Sequence, residues 1–153
     1  LWYNTITIKG GSKKGFEANM ICVTAEGLVG RITAVSAYTS EVRLITDRSS
    51  GIGALVQVSN SPGVVSGLGR ANELKMVHIP GDARLVKDQV VVTSGLGEIF
   101  PAGLRIGYIG EVKPESNGLM LSATIKPFVD FDRLDSLLVL TKIPAGMYQE
   151  EGK

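Results

Sequence analysis

The sequence predicts an all-β protein of two small β-barrel-like lobes, built mostly from antiparallel strands and reminiscent of a double barrel. Three observations carry this expectation. Glycine supplies 19 of the 153 residues and is spread along the chain at the spacing of tight turns instead of being gathered into a linker. Apolar and polar residues alternate with period two in several short runs, which is the pattern of half-buried strands. Part of the sequence also recurs: Gly30-Arg31-Ile32, Val35 and Leu44 align at a constant offset of 77 with Gly107-Tyr108-Ile109, Val112 and Leu121. If it is not a chance product of a glycine-rich chain, the echo implies two related hairpins, each kinked where glycine relieves the crowding of a barrel corner.

Taken in order, the first run sets Trp2, Ile6 and Ile8 on one face and Tyr3, Thr5, Thr7 and Lys9 on the other, with Asn4 the misfit on the apolar side. Gly10-Gly11-Ser12 turns the chain. Asn19-Met20-Ile21-Cys22-Val23 is an apolar run in which Cys22 reads as a small buried side chain, and a lone cysteine makes no internal disulfide. Val42 and Leu44 alternate with Glu41 and Arg43. Turn chemistry follows at Ser61-Pro62-Gly63, Pro80-Gly81-Asp82 and Ser116-Asn117-Gly118. Alternation places His78 on the face of Leu74 and Met76. Val90-Val91-Val92 and Leu137-Leu138-Val139-Leu140 read as strands covered on both faces. Leu119, Leu121, Ala123 and Ile125 share one face of a strand, with Met120, Ser122, Thr124 and Lys126 on the other. Only Asp130 to Asp135, with Phe131 and Leu134 three apart, hints at a helical turn, too short to stand alone. About ten or eleven strands fit. Residues 1–50 are expected to form the first lobe, open to completion by C-terminal strands, residues 51–143 the second, and residues 144–153 a flexible tail.

The chemistry in the chain is sparse. A net charge of +1 and a pI near 8.0 provide no field to gather nucleic acid. No run reaches the roughly 18 apolar residues of a membrane-spanning helix, so this stretch is not expected to insert directly into a bilayer. A serine triad would need His78 beside Ser94 and a carboxylate such as Asp82 or Asp47, yet Ser94 in Thr93-Ser94-Gly95-Leu96-Gly97 lacks the flanking glycines of a nucleophile elbow. One histidine and one cysteine are too few for a zinc site. Asp130, Asp132 and Asp135 lack the glycine and glutamate of a calcium loop, and Gly95-x-Gly97 has no third glycine for a phosphate cradle. The expectation is a non-enzyme with no catalytic residue, cofactor or metal, acting by holding partners. A serine hydrolase-like double barrel and a glycan-binding module, with Trp2 and surface tyrosines stacking on sugar rings, are the alternatives.

Two stretches carry a resemblance. Gly27-Leu28-Val29-Gly30-Arg31-Ile32 followed by Val42-Arg43-Leu44-Ile45-Thr46-Asp47, and the longer run from Asp88 to Gly107 containing Thr93-Ser94-Gly95-Leu96 and Phe100-Pro101-Ala102-Gly103-Leu104-Arg105-Ile106-Gly107, resemble the extracytoplasmic domain of the bacterial rod shape-determining MreC family. The likeness runs from about Thr5 to about Leu140. It departs from the family where Lys87-Asp88 replaces the usual glycine-aspartate. It marks Gly27, Gly30, Asp47, Ser94, Gly95, Phe100, Pro101, Gly103 and Gly107 as structural motif positions. The resemblance implies a two-lobed β scaffold outside the cytoplasmic membrane, in the periplasm or on the outer membrane face, anchored by an N-terminal transmembrane helix absent from this sequence. It implies a role in cell-wall elongation and rod shape through binding and activating a class B penicillin-binding transpeptidase. Self-association into dimers or filaments is implied as well, and so are links to MreD, RodA and MreB, mainly through parts absent here. Exposed sheet edges and aromatic rings suit such a role. Tyr38, in the polar loop Ser36 to Ser40, and Tyr108, which takes the slot of Arg31 in the echo, head the partner-binding candidates, followed by Trp2 and Tyr3. Phe100-Pro101 is expected to pack a turn.

Overall fold

The computed structural model describes residues 4–97 and 99–141, so Trp2, Tyr3 and the tail at 144–153 lie outside the described residues. In chain order the strands are β1 (Thr5–Lys9), β2 (Ile21–Val23), β3 (Leu28–Val35), β4 (Thr39–Leu44), β5 (Gly51–Val56), β6 (Pro62–Gly67), β7 (Leu74–Pro80), β8 (Val90–Thr93), β9 (Arg105–Pro114), β10 (Met120–Pro127) and β11 (Leu138–Leu140). One sheet runs β1-β4-β3-β2-β11, and the other six strands close into a barrel in the order β10-β7-β6-β5-β8-β9. Every pairing is antiparallel. This is the all-β architecture that glycine spacing and alternation predict, and of the two lobes expected from the internal echo one is a closed barrel and the other a five-stranded sheet. The short helical piece at Ser12–Lys14 is a single 3₁₀ turn, which the sequence did not signal.

Closure removes the free edges that an open sheet would expose. The barrel takes its curvature from register shifts between Leu121 and Ala123 against β7, between Ala123 and Ile125 against β9, and between Val91 and Val92, because an extra residue on one strand bends and twists it. Inside lie Ile52, Val56, Leu74, Met76, Ile79, Ile106, Ile109 and Ile125, all almost fully buried. At about 1.5 to 3 kcal/mol for each such side chain, this cluster is the main apolar reserve of the fold. Ile21, Leu28 and Ile45 from the other lobe join it, whereas Cys22, Val29, Ile32, Val42 and Leu44 form a second core with Ile6, Ile8, Phe16 and Val139 packed against it. Leu28 and Val29, adjacent on β3, therefore point into different cores.

The polar misfit Asn4 is buried and satisfied: its Oδ1 accepts from the Thr46 hydroxyl at 2.8 Å, and its backbone oxygen accepts from Leu44 N–H at 2.7 Å. Three expectations are corrected. Leu137–Leu140 is not covered on both faces, since β11 is an edge strand and Leu138 is 66% exposed. Asp130–Asp135 is a turn closed by Arg133 N–H donating to Asp130 O at 3.1 Å, with no helix. His78 does not share the face of Leu74 and Met76: it adopts φ +61 at the register shift opposite Ser122 and points outward, because the extra residue reverses the alternation beyond Val77.

The echo is real in its first strand and not in its second. Gly30 and Gly107 occupy matching places on β3 and β9, and at each a Cβ would stand against a neighbouring backbone oxygen, Arg43 O and Lys126 O respectively. Leu44 pairs with Gly30, but Gly107 pairs with Pro127 and not near Leu121. The second hairpin is longer, so equal spacing in sequence does not give equal register in space.

Candidate functional site

The long signature stretch folds into the β8–β9 connection. Thr93, buried at the end of β8, anchors it: its hydroxyl donates to Pro101 O at 2.6 Å and accepts from Leu104 N–H at 2.8 Å. Pro101 is buried and Phe100 packs against the barrel core, which is the turn-packing role expected of them. Gly95 and Gly103 carry φ +86 and +89, a region glycine enters without a Cβ penalty. Leu96 and Ile99 are left in solvent, Leu96 at 73%, so the loop carries exposed apolar side chains. Asp88, which follows the departure from the family pattern at Lys87, takes φ +73 and donates its N–H to Ile109 O at 2.8 Å, a conformation aspartate tolerates better than most residues.

The first lobe offers a hairpin tip. Tyr38 stands there 71% exposed, and its carbonyl accepts from Gly10 N–H at 2.7 Å, which fixes the backbone while the ring stays free. Tyr108 is half-buried on β9, its ring 5.7 Å from that of Phe128 and tilted by 43°. The Arg105 guanidinium lies 4.1 Å from the Phe128 ring centroid, a cation–π distance. Together they make an aromatic and cationic patch on the barrel. Gly27 belongs to the joint between lobes, because a Cβ there would stand 2.6 Å from Arg105 O. Asp47 is a turn former: Ser49 donates its N–H to Oδ1 at 2.8 Å. Burial would raise its carboxyl, but the Ser49 hydroxyl and N–H and the charge of Arg43 outweigh that, so it is held below the usual carboxylate range.

The groups weighed for catalysis are not brought together. His78 and Ser94 sit on opposite ends of β7 and β8, three strands apart around the barrel. The Ser94 hydroxyl accepts from Leu96 N–H at 3.3 Å. Glu115 is the partner of His78, taking its N–H at 2.8 Å with Nδ1 3.8 Å from the carboxylate. Asp130 and Asp132 both receive the Asn72 amide, at 3.3 and 2.9 Å. No metal-ligand group of three occurs among the described residues. Sequence reasoning marked Asn4 as a misfit but found neither its partner nor Asn72, because nothing local identifies partners that lie 42 to 60 residues away.

The fold and these surfaces define a class: a two-lobed β module with an exposed loop crest, hairpin tip and sheet edges. The chain belongs to the MreC family, whose model, "Rod shape-determining protein MreC, barrel core", matches residues 1–141. The cell shape-determining protein MreC of Listeria monocytogenes is 36% identical over 145 residues, covering 92% of this chain and 49% of the relative. The MreC structure from Pseudomonas aeruginosa superposes with a TM-score of 0.85 at 26% identity, covering 90% of this chain and 89% of that one. For the Listeria monocytogenes MreC structure the TM-score is 0.83 at 35% identity, with 90% and 68% covered. Two more distant structures share the fold: the major periplasmic domain of a cell shape-determining MreC filament (TM-score 0.70, 23% identity, 85% and 81% covered) and Helicobacter pylori MreC in complex with the penicillin-binding protein PBP2 (0.65, 19%, 82% and 78%). The chain spans about half the length of the curated relatives it matches.

Proposed function

We propose that this domain is a non-catalytic scaffold of the cell-wall elongation machinery, which maintains rod shape by binding and activating a class B penicillin-binding transpeptidase and by self-associating. Membership of the MreC family is the observation that carries the reading, supported by the complex known for the Helicobacter pylori relative. In this reading the domain stands outside the cytoplasmic membrane, as the periplasmic relative does. A transmembrane helix anchors the longer protein, whose other parts reach MreD, RodA and MreB. No helix among the described residues is long and apolar enough to cross a membrane.

Tyr38 and the Tyr108–Phe128–Arg105 patch are the proposed contact points, because amphipathic rings and arginine dominate interface energy. A pull-down with the soluble part of the transpeptidase from the same organism tests the function. Binding that weakens by about tenfold in Tyr38→Ala or Tyr108→Ala is the expected result. No detectable binding at high micromolar concentration overturns the function, and undiminished binding by both variants overturns the assignment of the surface.

A further inference from the structure

The barrel lobe closes with six strands, while among the described residues the other sheet has five and keeps two edges, β1 and β11. Both edges line the same groove, of about 740 Å³, floored by Ile6, Ile8, Phe16, Leu137 and Val139. A sheet curled so that its two ends face one cleft has room for one more strand.

The backbone of β1 is arranged to receive it. Leu44 N–H donates to Asn4 O and Gly10 N–H to Tyr38 O, each at 2.7 Å, and in this register Ile6 and Ile8 face Val42 and Ser40. Residues of an antiparallel pair alternate in the direction of their hydrogen bonds. Asn4, Ile6, Ile8 and Gly10 therefore turn their N–H and C=O groups to β4, and Thr5, Thr7 and Lys9 turn theirs to the groove. Because each of the four pairings from β1 across to β11 is antiparallel, β1 and β11 run in the same direction. One inserted strand can thus be antiparallel to both at once, which completes a six-stranded lobe of the kind the other half of the chain already forms.

Charge selects the occupant. An incoming strand antiparallel to β1 begins beside the end of β1, where Lys9 and Lys14 line the groove. The ion pairs among the described residues are Arg70–Glu73, His78–Glu115 and Arg133–Asp130, so neither lysine is held in one there. Asp135, the acid that also lines the groove, precedes β11 and so stands beside the C-terminal end of a strand antiparallel to β11, where it disfavours a carboxylate. We propose that the gap between β1 and β11 is a receptor for an extended segment of a partner protein, which enters as a sixth strand with apolar side chains inward and a carboxylate at its N-terminal end beside Lys9 and Lys14. Backbone pairing supplies the affinity and the alternate pockets the selectivity, as in other cases of strand addition. The site does not depend on the transpeptidase reading.

The test uses this chain and two synthetic peptides of about eight residues, the length of a long strand. Both alternate valine and threonine, and one carries two glutamates at its N-terminus while the other carries them at its C-terminus. In amide exchange followed by NMR, the acid-first peptide slows exchange at Thr5, Thr7 and Lys9 and binds more tightly than the acid-last peptide. Thr7→Pro removes one groove-facing N–H without touching the bonds to β4, and it weakens binding about tenfold. Lys9→Glu with Lys14→Glu abolishes the preference between the peptides. Equal affinity for the two peptides, or binding that leaves the three amides unprotected, overturns the proposal. So does protection already present without peptide: if deletion of residues 142–153 relieves it, the chain covers its own groove, and if dilution relieves it, a second copy does.

Discussion

At the scale of single residues, the polar and reactive groups buried in this protein are matched to their surroundings by proximity in space. Buried Asn4 is met by Thr46, and the partly exposed Asn72 by Asp130 and Asp132; no buried side-chain nitrogen or oxygen among the described residues lacks a partner. Among the described residues, Cys22 is the buried group that could acquire a charge with nothing to stabilise it. Burial pushes its thiol up to about 12 from an ordinary value of 9.0, since a thiolate in an apolar site loses its hydration. The folded state thus holds the proton more tightly than the unfolded chain. Its contribution to stability is whole below about pH 9 and falls as pH rises from there towards about 12. Urea midpoints measured at pH 8 and pH 11 are expected to fall further for the parent than for Cys22→Ala. At pH 8 the native thiol should also resist an aromatic disulfide reagent until the protein is unfolded.

At the scale of elements, the hairpins depend on close backbone approach. A Cβ at Gly107 would meet Lys126 O, part of the paired strand itself, so the clash can be relieved only by moving β9 away from β10. Gly107→Ala is expected to cost about 3 kcal/mol, the upper range for overpacking. Gly51→Ala, whose Cβ would find only Val64 Cγ1 at 3.9 Å, should stay within about 0.5 kcal/mol. Urea denaturation of the two variants checks both values, and equal effects would refute the close-approach account. The same elements show what was legible locally. Val42 and Leu44 are buried against exposed Glu41 as alternation requires, and Ala123 and Ile125 are buried on β10. His78 escapes the rule because a register shift, invisible in a single strand's sequence, precedes it.

At the scale of the whole molecule, the two lobes are joined by packing as well as by the chain. Phe131 touches both cores, and its backbone N–H donates to Asn72 Oδ1 at 3.0 Å, pinning the segment that leaves the barrel and returns to β11. Ile21, Leu28 and Ile45 extend the barrel core into the first lobe. Unfolding is therefore expected to be a single cooperative transition. Phe131→Ala should cost about 2 kcal/mol, below the full cost for a core phenylalanine because the ring is only partly buried, and should broaden or divide that transition in calorimetry. An unchanged transition width would show that the lobes are coupled elsewhere.

The amino-acid sequence by itself determined the all-β class, the approximate number of strands and the family, because alternation, turn chemistry and motif spacing are properties of near neighbours along the chain. Only the tertiary structure decided that one lobe closes while the other, among the described residues, keeps two edges over a shared groove, that Leu138 lies in solvent, that Gly107 pairs with Pro127, and that Asn4 and Asn72 are satisfied. Register and closure follow from hydrogen bonds and packing between segments tens of residues apart, and the free energy of those contacts exists only once the segments have met.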